Sequence, residues 1–444
     1  MRKIVIGIGV GLLVVAAGGG AYFYSGVRAG QRGPELARCT SPALALGRFS
    51  EPVRISDGAG PGTHTEVSAA VLPSGTLAAA FIVMTSVFSD TALGVATVGL
   101  DGKVDARPFR SAKKRHYDPW LSVDRAGLLH MVWLGHDSGI PEKRMEVGHA
   151  TSQDAIHWSA PALENDVATD CPNEERGCLD KPIVAALPDG MMLLYGSVPG
   201  GGLKAKRIGQ GQPSVLAAEA VLAGAQADAT GKLHLVTVEG EEGPPERYGS
   251  PHLWLAYHSS SDGGRTFSES QRITPKGEPF PMFMQSPRVA ADSERGFIYA
   301  VYAAGAPDLR WDIQLATSHD AGATWSYRKL NDDAPCASHA LPAMALDPKT
   351  GRVHVIWAEN RSGVGGIAYA SCEPGGAQCS PNEAASGAFA TYRLGRHGSD
   401  WLGDYMSLVA DPERRTLHAV WSQPVGVDGT AVSRIFHARA SLDR

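Results

Sequence analysis

The sequence lacks a strong excess of charge of either sign, with 41 basic against 46 acidic residues among its 444. A nucleic-acid groove needs a concentrated positive field, so we expect no nucleic-acid partner. No loop carries the dense acidic series of a calcium-binding loop either. We therefore expect no cofactor, although a calcium ion on the axis of the fold stays open. An acidic, Pro/Gly-rich stretch over residues 239–247 is interpreted as a solvated flap, or else as a lid.

Cysteine is scarce, and Cys-x-x-Cys spacing is absent. The six cysteines fit an oxidising compartment. Cys171 and Cys178 are separated by six residues, as are Cys372 and Cys379, so two local disulfides are the favoured pairs. A metal site is the weaker alternative, because no histidine lies close to either pair. The sequence does not show whether Cys39 and Cys336 meet.

The N-terminus lacks both a small-x-small cleavage site and the small residues of a lipid-attachment motif before Cys39. It has Arg2 and Lys3, followed by an apolar and glycine-rich run over residues 4–24. That length suits a bilayer span, so residues 1–25 are predicted to be an uncleaved membrane anchor, with a removed signal peptide as the alternative. Residues 26–45 would form a linker. The body, residues 46–444, would face outward, in the periplasm or outside the cell.

What the sequence does contain is a repeated turn motif. After a strand-like alternation, residues 318–325 spell S-x-D-x-G-x-T-W, in which Ser and Asp can bond backbone N–H groups, Gly can adopt a left-handed conformation and the aromatic can pack on the sheet. Two further copies follow the same order, one with Phe for Trp and one that is a residue short and lacks the Gly. The residues concerned are Ser318, Asp320, Gly322, Thr324 and Trp325; Ser260, Asp262, Gly264, Thr266 and Phe267; and Ser152, Asp154 and Trp158.

Strands that precede these turns recur seven times, about every 55 residues, a spacing typical of propeller blades. Seven apolar hairpins lie between them. Their second strands end at Phe81, Trp133, Tyr195, Val238, Tyr302, Trp357 and Trp421. The two series agree on seven units.

The two ends of the chain complement each other. Residues 49–56, F-S-E-P-V-R-I-S, resemble residues 267–274, F-S-E-S-Q-R-I-T, which form an outer strand, and the chain stops where the last unit still needs one. The sequence therefore predicts an all-β, seven-bladed β-propeller of four-stranded antiparallel blades, closed by the N-terminal strand.

These motifs resemble the Asp-box (BNR-repeat) proteins of the sialidase superfamily, over roughly residues 45–444. The resemblance implies a propeller and, less specifically, a glycoside hydrolase. Sialidases have six blades, which makes six the alternative count, and they carry an Arg-Ile-Pro triplet that is absent here. Tyr405 with Ser407 resembles the Tyr-Ser pair of the family's final blade, in which Tyr is the nucleophile.

In a propeller, the first residues of the inner strands and the loops between the second and third strands surround one funnel. The candidate catalytic residues are Asp118, Asp180, Asp404 and Tyr405, because a glycosidase needs an acid and a nucleophile or base. The candidate ligand-binding residues are His64, His116, Tyr117, Lys181, Gln285, Arg288, Arg310, Trp311, His339, Arg361 and Trp401. No metal ligands are assigned. For each residue a structural role is an open alternative: the carboxylates could cap turns and the tryptophans could fill blade junctions.

Two functions follow. The first is an envelope protein that binds a glycan-like ligand, or a protein or peptide of the envelope, in its funnel without intact sialidase chemistry. The alternative is an active sialidase-like exo-glycosidase. Convergence of the candidate carboxylates beside a cationic pocket favours the enzyme, whereas dispersed carboxylates without an arginine cluster favour the binding protein.

Overall fold

A computed structural model describes residues 39–85, 91–137, 145–165, 170, 179–197, 202–217, 222–241, 251–281, 286–305, 310–333, 335–390, 401–427 and 430–443. Within these ranges the chain forms 28 strands and two short 3-10 turns, Asp57–Ala59 and Pro374–Gly376. The strands are β1 Val53–Arg54, β2 Thr63–Val71, β3 Leu77–Met84, β4 Thr91–Val98, β5 Val104–Phe109, β6 Arg115–Val123, β7 Leu129–His136, β8 Glu146–Ser152, β9 Ala162–Leu163, β10 Leu179–Leu187, β11 Gly190–Ser197, β12 Gly202–Arg207, β13 Ser214–Ala217 and β14 Leu222–Ala227. They continue with β15 Leu233–Gly240, β16 Leu253–Ser260, β17 Gln271–Arg272, β18 Arg288–Asp292, β19 Phe297–Gly305, β20 Trp311–Ser318, β21 Ser326–Lys329, β22 His339–Leu346, β23 Val353–Glu359, β24 Gly366–Cys372, β25 Glu383–Ala384, β26 Ser407–Asp411, β27 Thr416–Val427 and β28 Thr430–Ser441.

The strands form seven four-stranded antiparallel sheets, the blades of a propeller. We number them from the chain start: blade 1 is β2–β5, blade 2 β6–β9, blade 3 β10–β13, blade 4 β14–β17, blade 5 β18–β21, blade 6 β22–β25, and blade 7 is β26–β28 with β1. The predicted seven blades are confirmed, and the six-bladed alternative is wrong.

The second strands of the blades are deeply buried, because neighbouring blades cover both of their faces. β3, β7 and β23 are buried along their whole length. Six of the seven residues predicted to end these hairpins are aromatic and less than 2% exposed: Phe81, Trp133, Tyr195, Tyr302, Trp357 and Trp421. Large rings at these positions fill the space between blades that diverge from the axis.

The ring closes through the two ends of the chain, as predicted. β1 forms the outer strand of blade 7, where Val53 pairs with His437 and Arg54 with Phe436. Backbone hydrogen bonds from Ile55 to Ile435 (2.9 Å) extend the pairing. No strand of blade 7 is left without the partner that its position requires.

The segment before β1 lies against blade 6. Cys39 is bonded to Cys336 and is 2% exposed, so the region expected to be a linker is fixed to the propeller from residue 39 onward. The predicted disulfide between Cys372 and Cys379 is confirmed. Cys171 and Cys178 lie outside the described residues.

The three S-x-D turns follow third strands, on the face opposite the starts of the inner strands. In the most complete one, Asp320 accepts from Thr324 N (2.9 Å) and Ser318 Oγ accepts from Gly322 N (2.9 Å), as expected from the motif. Gly322 has a left-handed φ of 94°, and Trp325 packs against Tyr257 with ring centroids 5.8 Å apart. These turns brace the blades away from the funnel.

The disulfides suggest an extracellular or periplasmic environment. None of the helices within the described residues has the length and apolar character to span a bilayer. The apolar run at residues 4–24 lies outside the described residues.

Candidate functional site

Four inner strands share an irregularity near their first residues. In β2, β6, β10 and β22 the pairing with the second strand shifts register, and a bulge is formed. Each bulge holds a non-glycine residue at left-handed φ: Glu66 at 55°, Asp118 at 49°, Lys181 at 45° and Leu341 at 56°. Such a conformation costs about 1 kcal/mol per residue, and bulges redirect side chains. Three of the four redirected side chains are charged.

These charged side chains meet around Lys181. Its ammonium group donates to Asp404 Oδ2 at 2.8 Å, Asp118 Oδ1 at 3.0 Å and Glu66 Oε1 at 3.4 Å. The carboxylates come from blades 7, 2 and 1, which with blade 3 are consecutive around the ring. Exposure of the side chains increases from 3% for Glu66 to 20% for Asp404, so the cluster opens to solvent at the Asp404 side.

Burial decides which groups of this cluster are charged. It raises the pKa of Glu66 well above its usual range; Lys181 opposes that shift, and the neighbouring Asp118 adds to it. Burial likewise raises the pKa of Asp180 to about 7. Although burial opposes its charge, the surrounding carboxylates raise the pKa of Lys181. Burial therefore works against the charged forms of Glu66 and Asp180, while the surrounding carboxylates favour the ammonium form of Lys181.

An aromatic and cationic wall lies beside the cluster. The guanidinium of Arg288 stacks over Trp120 at 4.5 Å and donates to the Met406 carbonyl at 2.9 Å. Burial lowers the pKa of Arg288 to about 10. Tyr405 lies between this wall and the lysine: its ring is 5.6 Å from Trp120 and 5.5 Å from Lys181 Nζ.

Tyr405 is held as a neutral phenol. Its hydroxyl donates to the Pro119 carbonyl at 3.1 Å, and burial, followed by the charges of Glu66 and Asp118, raises its pKa. Ser407, the other half of the Tyr-Ser pair, bonds the backbone of blade 1 at Ala69 N.

The structure thus brings Asp118, Lys181, Asp404 and Tyr405 together, with Asp180 close enough to interact electrostatically. Glu66 was not predicted from the sequence. The signal was present: His64-x-Glu66 in β2 has the same spacing as His116-x-Asp118 in β6. Aligning these two inner strands would have paired Glu66 with Asp118.

Several predicted ligand-binding residues are deeply buried, and their role in binding stays a prediction. The residues that are 5% exposed or less are His64, His116, Trp311, His339, Arg361 and Trp401. His64 Nε2 is 2.9 Å from the Gly60 carbonyl, and burial lowers its pKa to about 4. His116 bonds Ser111 Oγ at 2.8 Å.

The remaining predicted positions are less uniform. Tyr117 is half-buried and stacks on His136, with ring centroids 5.6 Å apart, while Arg310 is exposed. Gln285 lies outside the described residues, as does most of the acidic stretch at 239–247. The position between the carboxylates that an axial calcium would need is taken by Lys181 Nζ, so a calcium ion would have to displace the ammonium.

No protein-family model matches the chain, and no curated protein matches it. Among solved structures, a protein of unknown function from Dyadobacter fermentans aligns with a TM-score of 0.54 and 13% identity, over 89% of this chain and 98% of that one. A Hadza microbial sialidase aligns with a TM-score of 0.47 and 13% identity, over 86% of this chain and 66% of that one. A GH93 α-L-arabinofuranosidase of Fusarium graminearum, in complex with arabinobiose, aligns with a TM-score of 0.47 and 13% identity, over 89% of this chain and 99% of that one. At these identities the similarity concerns the fold alone.

Proposed function

We propose that the cluster around Lys181 is a ligand-binding site and that the protein holds a glycan-like ligand there without sialidase chemistry. The observation that carries the proposal is the convergence of charged side chains from four consecutive blades, three of them on strained, left-handed residues. Strain of this kind persists where the surrounding structure enforces a functional geometry.

The chemistry of the cluster suits a hydroxyl-rich ligand. Asp404, the most exposed carboxylate of the cluster, accepts from Lys181 through Oδ2, and its second oxygen is a candidate acceptor for a hydroxyl group. An ammonium beside carboxylates offers donors and acceptors at hydrogen-bond spacing, as vicinal hydroxyls require. A peptide ligand would use the same carboxylates through an amino group. The glycan is favoured because Lys181 already occupies the position among the carboxylates that the amino group of a peptide would need.

The absence of sialidase chemistry rests on two groups. A nucleophilic Tyr405 would need a lowered pKa, whereas burial raises it and the hydroxyl donates to a carbonyl. A clamp for a carboxylate-bearing sugar needs bidentate arginines. Arg288 is the arginine beside the cluster in the described residues, and it donates to Ser286 and to the Met406 carbonyl.

One observation favours the alternative, an active exo-glycosidase. Burial raises the pKa of Asp180 to about 7, the range of a general acid. Asp118 Oδ1 and Asp404 Oδ2 lie 3.0 and 2.8 Å from the same atom, Lys181 Nζ. The separation between the two oxygens can therefore be no larger than the sum of those two distances. Retaining glycosidases hold two carboxyl groups about 5–5.5 Å apart.

A paired binding and turnover experiment distinguishes the two. The full-length protein is screened against a glycan array and against fluorogenic glycosides, alongside Asp404→Asn, Asp180→Asn and Tyr405→Phe. Asp189→Asn, an exposed residue far from the funnel, is the control. We expect a glycan that binds the wild type, weaker binding by Asp404→Asn and no turnover. Turnover that is lost in Asp404→Asn or Asp180→Asn would establish the glycosidase, and a wild type that neither binds nor cleaves any glycan would refute both.

We further propose that the three S-x-D turns are Asp-boxes and that residues 1–25 anchor the propeller to a membrane with its body outside the cytoplasm. The Ser-Asp-Thr hydrogen bonds support the first statement, and the disulfides support an extracytoplasmic position. Membrane fractionation followed by protease treatment of spheroplasts tests the second. Protein found in the soluble fraction, or protected from protease in spheroplasts, would contradict it.

A further inference from the structure

A second group of polar side chains lies in blade 6, apart from the Lys181 cluster. His339 begins β22 and pairs directly with Glu359, the last residue of β23, while Asp333 precedes β22 in the connection from blade 5. One nitrogen of His339 and one oxygen of each carboxylate lie within 4.8 Å of one another. The side chains of His339 and Asp333 are each 1% exposed.

The tautomer of His339 follows from one contact. Its Nδ1 is 2.7 Å from the Trp311 carbonyl, which can only accept, so Nδ1 carries the hydrogen. In a neutral imidazole, Nε2 then bears a lone pair and is the ligating nitrogen. Metal-bound histidines commonly donate their other N–H to a backbone carbonyl in this way, because the bond fixes the ring orientation.

Nε2 of His339 lies 3.1 Å from Asp333 Oδ1, an ion-pair contact, and that oxygen also accepts from Asn331 Nδ2 at 3.1 Å. By hydrogen-bond geometry Nε2 itself is buried without a partner in the described residues. Asp333 Oδ2 is also buried without a partner. An unsatisfied buried polar atom is costly, so the two in this group call for a further partner.

A protonated His339 would be the other explanation. An imidazolium Nε2–H would face Asp333 Oδ1, 3.1 Å away, but it would still leave the buried Oδ2 of Asp333 without a partner. The two buried carboxylates also exceed the one buried guanidinium beside them, that of Arg361. A cation that accepts one lone pair from each of the three residues would resolve both the charge and the unpaired atoms.

We propose that Asp333, His339 and Glu359 bind a divalent transition-metal ion, with zinc the best match. One imidazole and two carboxylates are ligands that zinc takes at about 2.0–2.2 Å, whereas calcium and magnesium prefer oxygen alone. Arg361 donates to Glu359 Oε2 and thereby orients this ligand, leaving further lone pairs of the carboxylate for the metal. Small side-chain movements would bring the three atoms within bonding distance of one ion.

The position of this site implies a structural role. The connection that carries Asp333 also carries Cys336, which is bonded to Cys39 of the N-terminal segment. A metal bound by Asp333, by His339 of β22 and by Glu359 of β23 would attach that connection to blade 6. Through the disulfide, it would also hold the N-terminal segment there.

Metal analysis of the full-length protein tests the proposal. The protein is stripped with a chelator, dialysed, and reloaded separately with zinc, cobalt(II), manganese or calcium chloride. Bound metal is then measured by mass spectrometry and thermal unfolding is followed. We expect one zinc ion per chain, a rise in Tm on reloading and visible absorption from bound cobalt. His339→Gln and Asp333→Asn should lower zinc affinity by more than the roughly 10–100-fold that losing an outer-shell partner costs.

His234→Gln is the matched control. His234 is a buried histidine beside a carboxylate, but both of its ring nitrogens have partners, Tyr257 at 2.8 Å and Asp228 at 3.3 Å. It should lower Tm while leaving metal content unchanged. If stripped wild-type protein binds none of the four metals, or if His339→Gln binds zinc as the wild type does, the site is an ion-paired histidine and the proposal fails. The comparison of stripped and reloaded wild type decides the matter even if a variant does not fold.

Discussion

Replacing Lys181 with methionine removes the one ammonium that holds Asp118, Asp404 and Glu66 together. Methionine keeps the length and apolar stem of the side chain but leaves the carboxylates, 10%, 20% and 3% exposed, without their shared cation. Breaking a buried ion pair by removing one partner costs about 3–5 kcal/mol. Because burial already raises the pKa of Glu66 and favours its neutral form, and Asp404 is partly solvated, we expect the low end, about 3 kcal/mol.

The pH dependence identifies the cause. In Lys181→Met the clustered carboxylates would repel one another, so their pKa values in the folded state would rise above those in the unfolded state. A carboxyl group whose folded pKa is raised destabilises the protein at high pH, and the penalty disappears as pH falls and the group becomes protonated. The deficit relative to wild type should therefore be largest near pH 8 and shrink toward pH 5.

Urea unfolding at pH 5, 6.5 and 8 measures this deficit, with Lys113→Met as the control. Lys113 also bonds two carboxylates, Asp137 and Glu146, but its side chain is 24% exposed and that of Asp137 56%. Exposed pairs contribute about 0–1 kcal/mol. If Lys181→Met loses no more stability than Lys113→Met, or if its deficit does not change with pH, the ion cluster does not stabilise the fold as argued.

Three further outcomes follow from the blades. Burial lowers the pKa of His418 to about 4 and that of the stacked His437 to about 3. As pH drops from 6.5 toward 4, the unfolded state therefore binds protons before the folded state does, and the free energy of unfolding should fall by about 3 kcal/mol per histidine. Unfolding curves that coincide at pH 7 and pH 5 would contradict this. Cys39→Ser, which breaks the bond to Cys336 across 297 residues, should cost about 2–5 kcal/mol by urea unfolding, and a variant as stable as wild type would show that the N-terminal segment is not held by this bond. Gly322→Ala should lower Tm, because its Cβ would lie 2.5 Å from an aromatic ring at a left-handed φ, and an unchanged Tm would refute the tight turn.

The fold was predictable because its signals are redundant. The repeated hairpins end in aromatic residues that the structure buries between blades, and residues 49–56 match an internal outer strand, which predicted the closure. Each signal alone is short. Two series that agree on seven units exclude a chance match better than either one does.

The site was predictable only in part, because its geometry depends on bulges. Asp118, Lys181 and Asp404 were identified from their positions at the starts of inner strands. The left-handed conformation that brings Asp118 and Lys181 together has no sequence signature. Glu66 has the same conformation and was missed, since a bulge adds a residue and displaces the register by which the strand start was counted.

The burial of several predicted ligand-binding residues was the other property that the sequence did not reveal. Trp311 and His339 begin strands and Arg361 lies in the loop after β23, but all three are 4% exposed or less. The connection before β22 carries Cys336, which is bonded to Cys39, and Asp332, which accepts from Arg361 at 2.9 Å. Whether a segment distant in the sequence covers a residue cannot be recognised from a local pattern. A residue at the end of a strand can therefore be either exposed at the rim or buried in the core.

Closure of the ring and assembly of the Lys181 cluster are coupled. Asp404 belongs to blade 7 and Glu66 to blade 1, and these blades are joined by Ser407 Oγ, which accepts from Ala69 N at 3.0 Å, and by Ser422 Oγ, which donates to the His64 carbonyl at 2.8 Å. Separating blade 7 from blade 1 would therefore carry one carboxylate away from the others. A ligand that bridges the two blades at this cluster would bind the closed ring in preference to the open one, and by mass action it would raise the stability of the whole propeller.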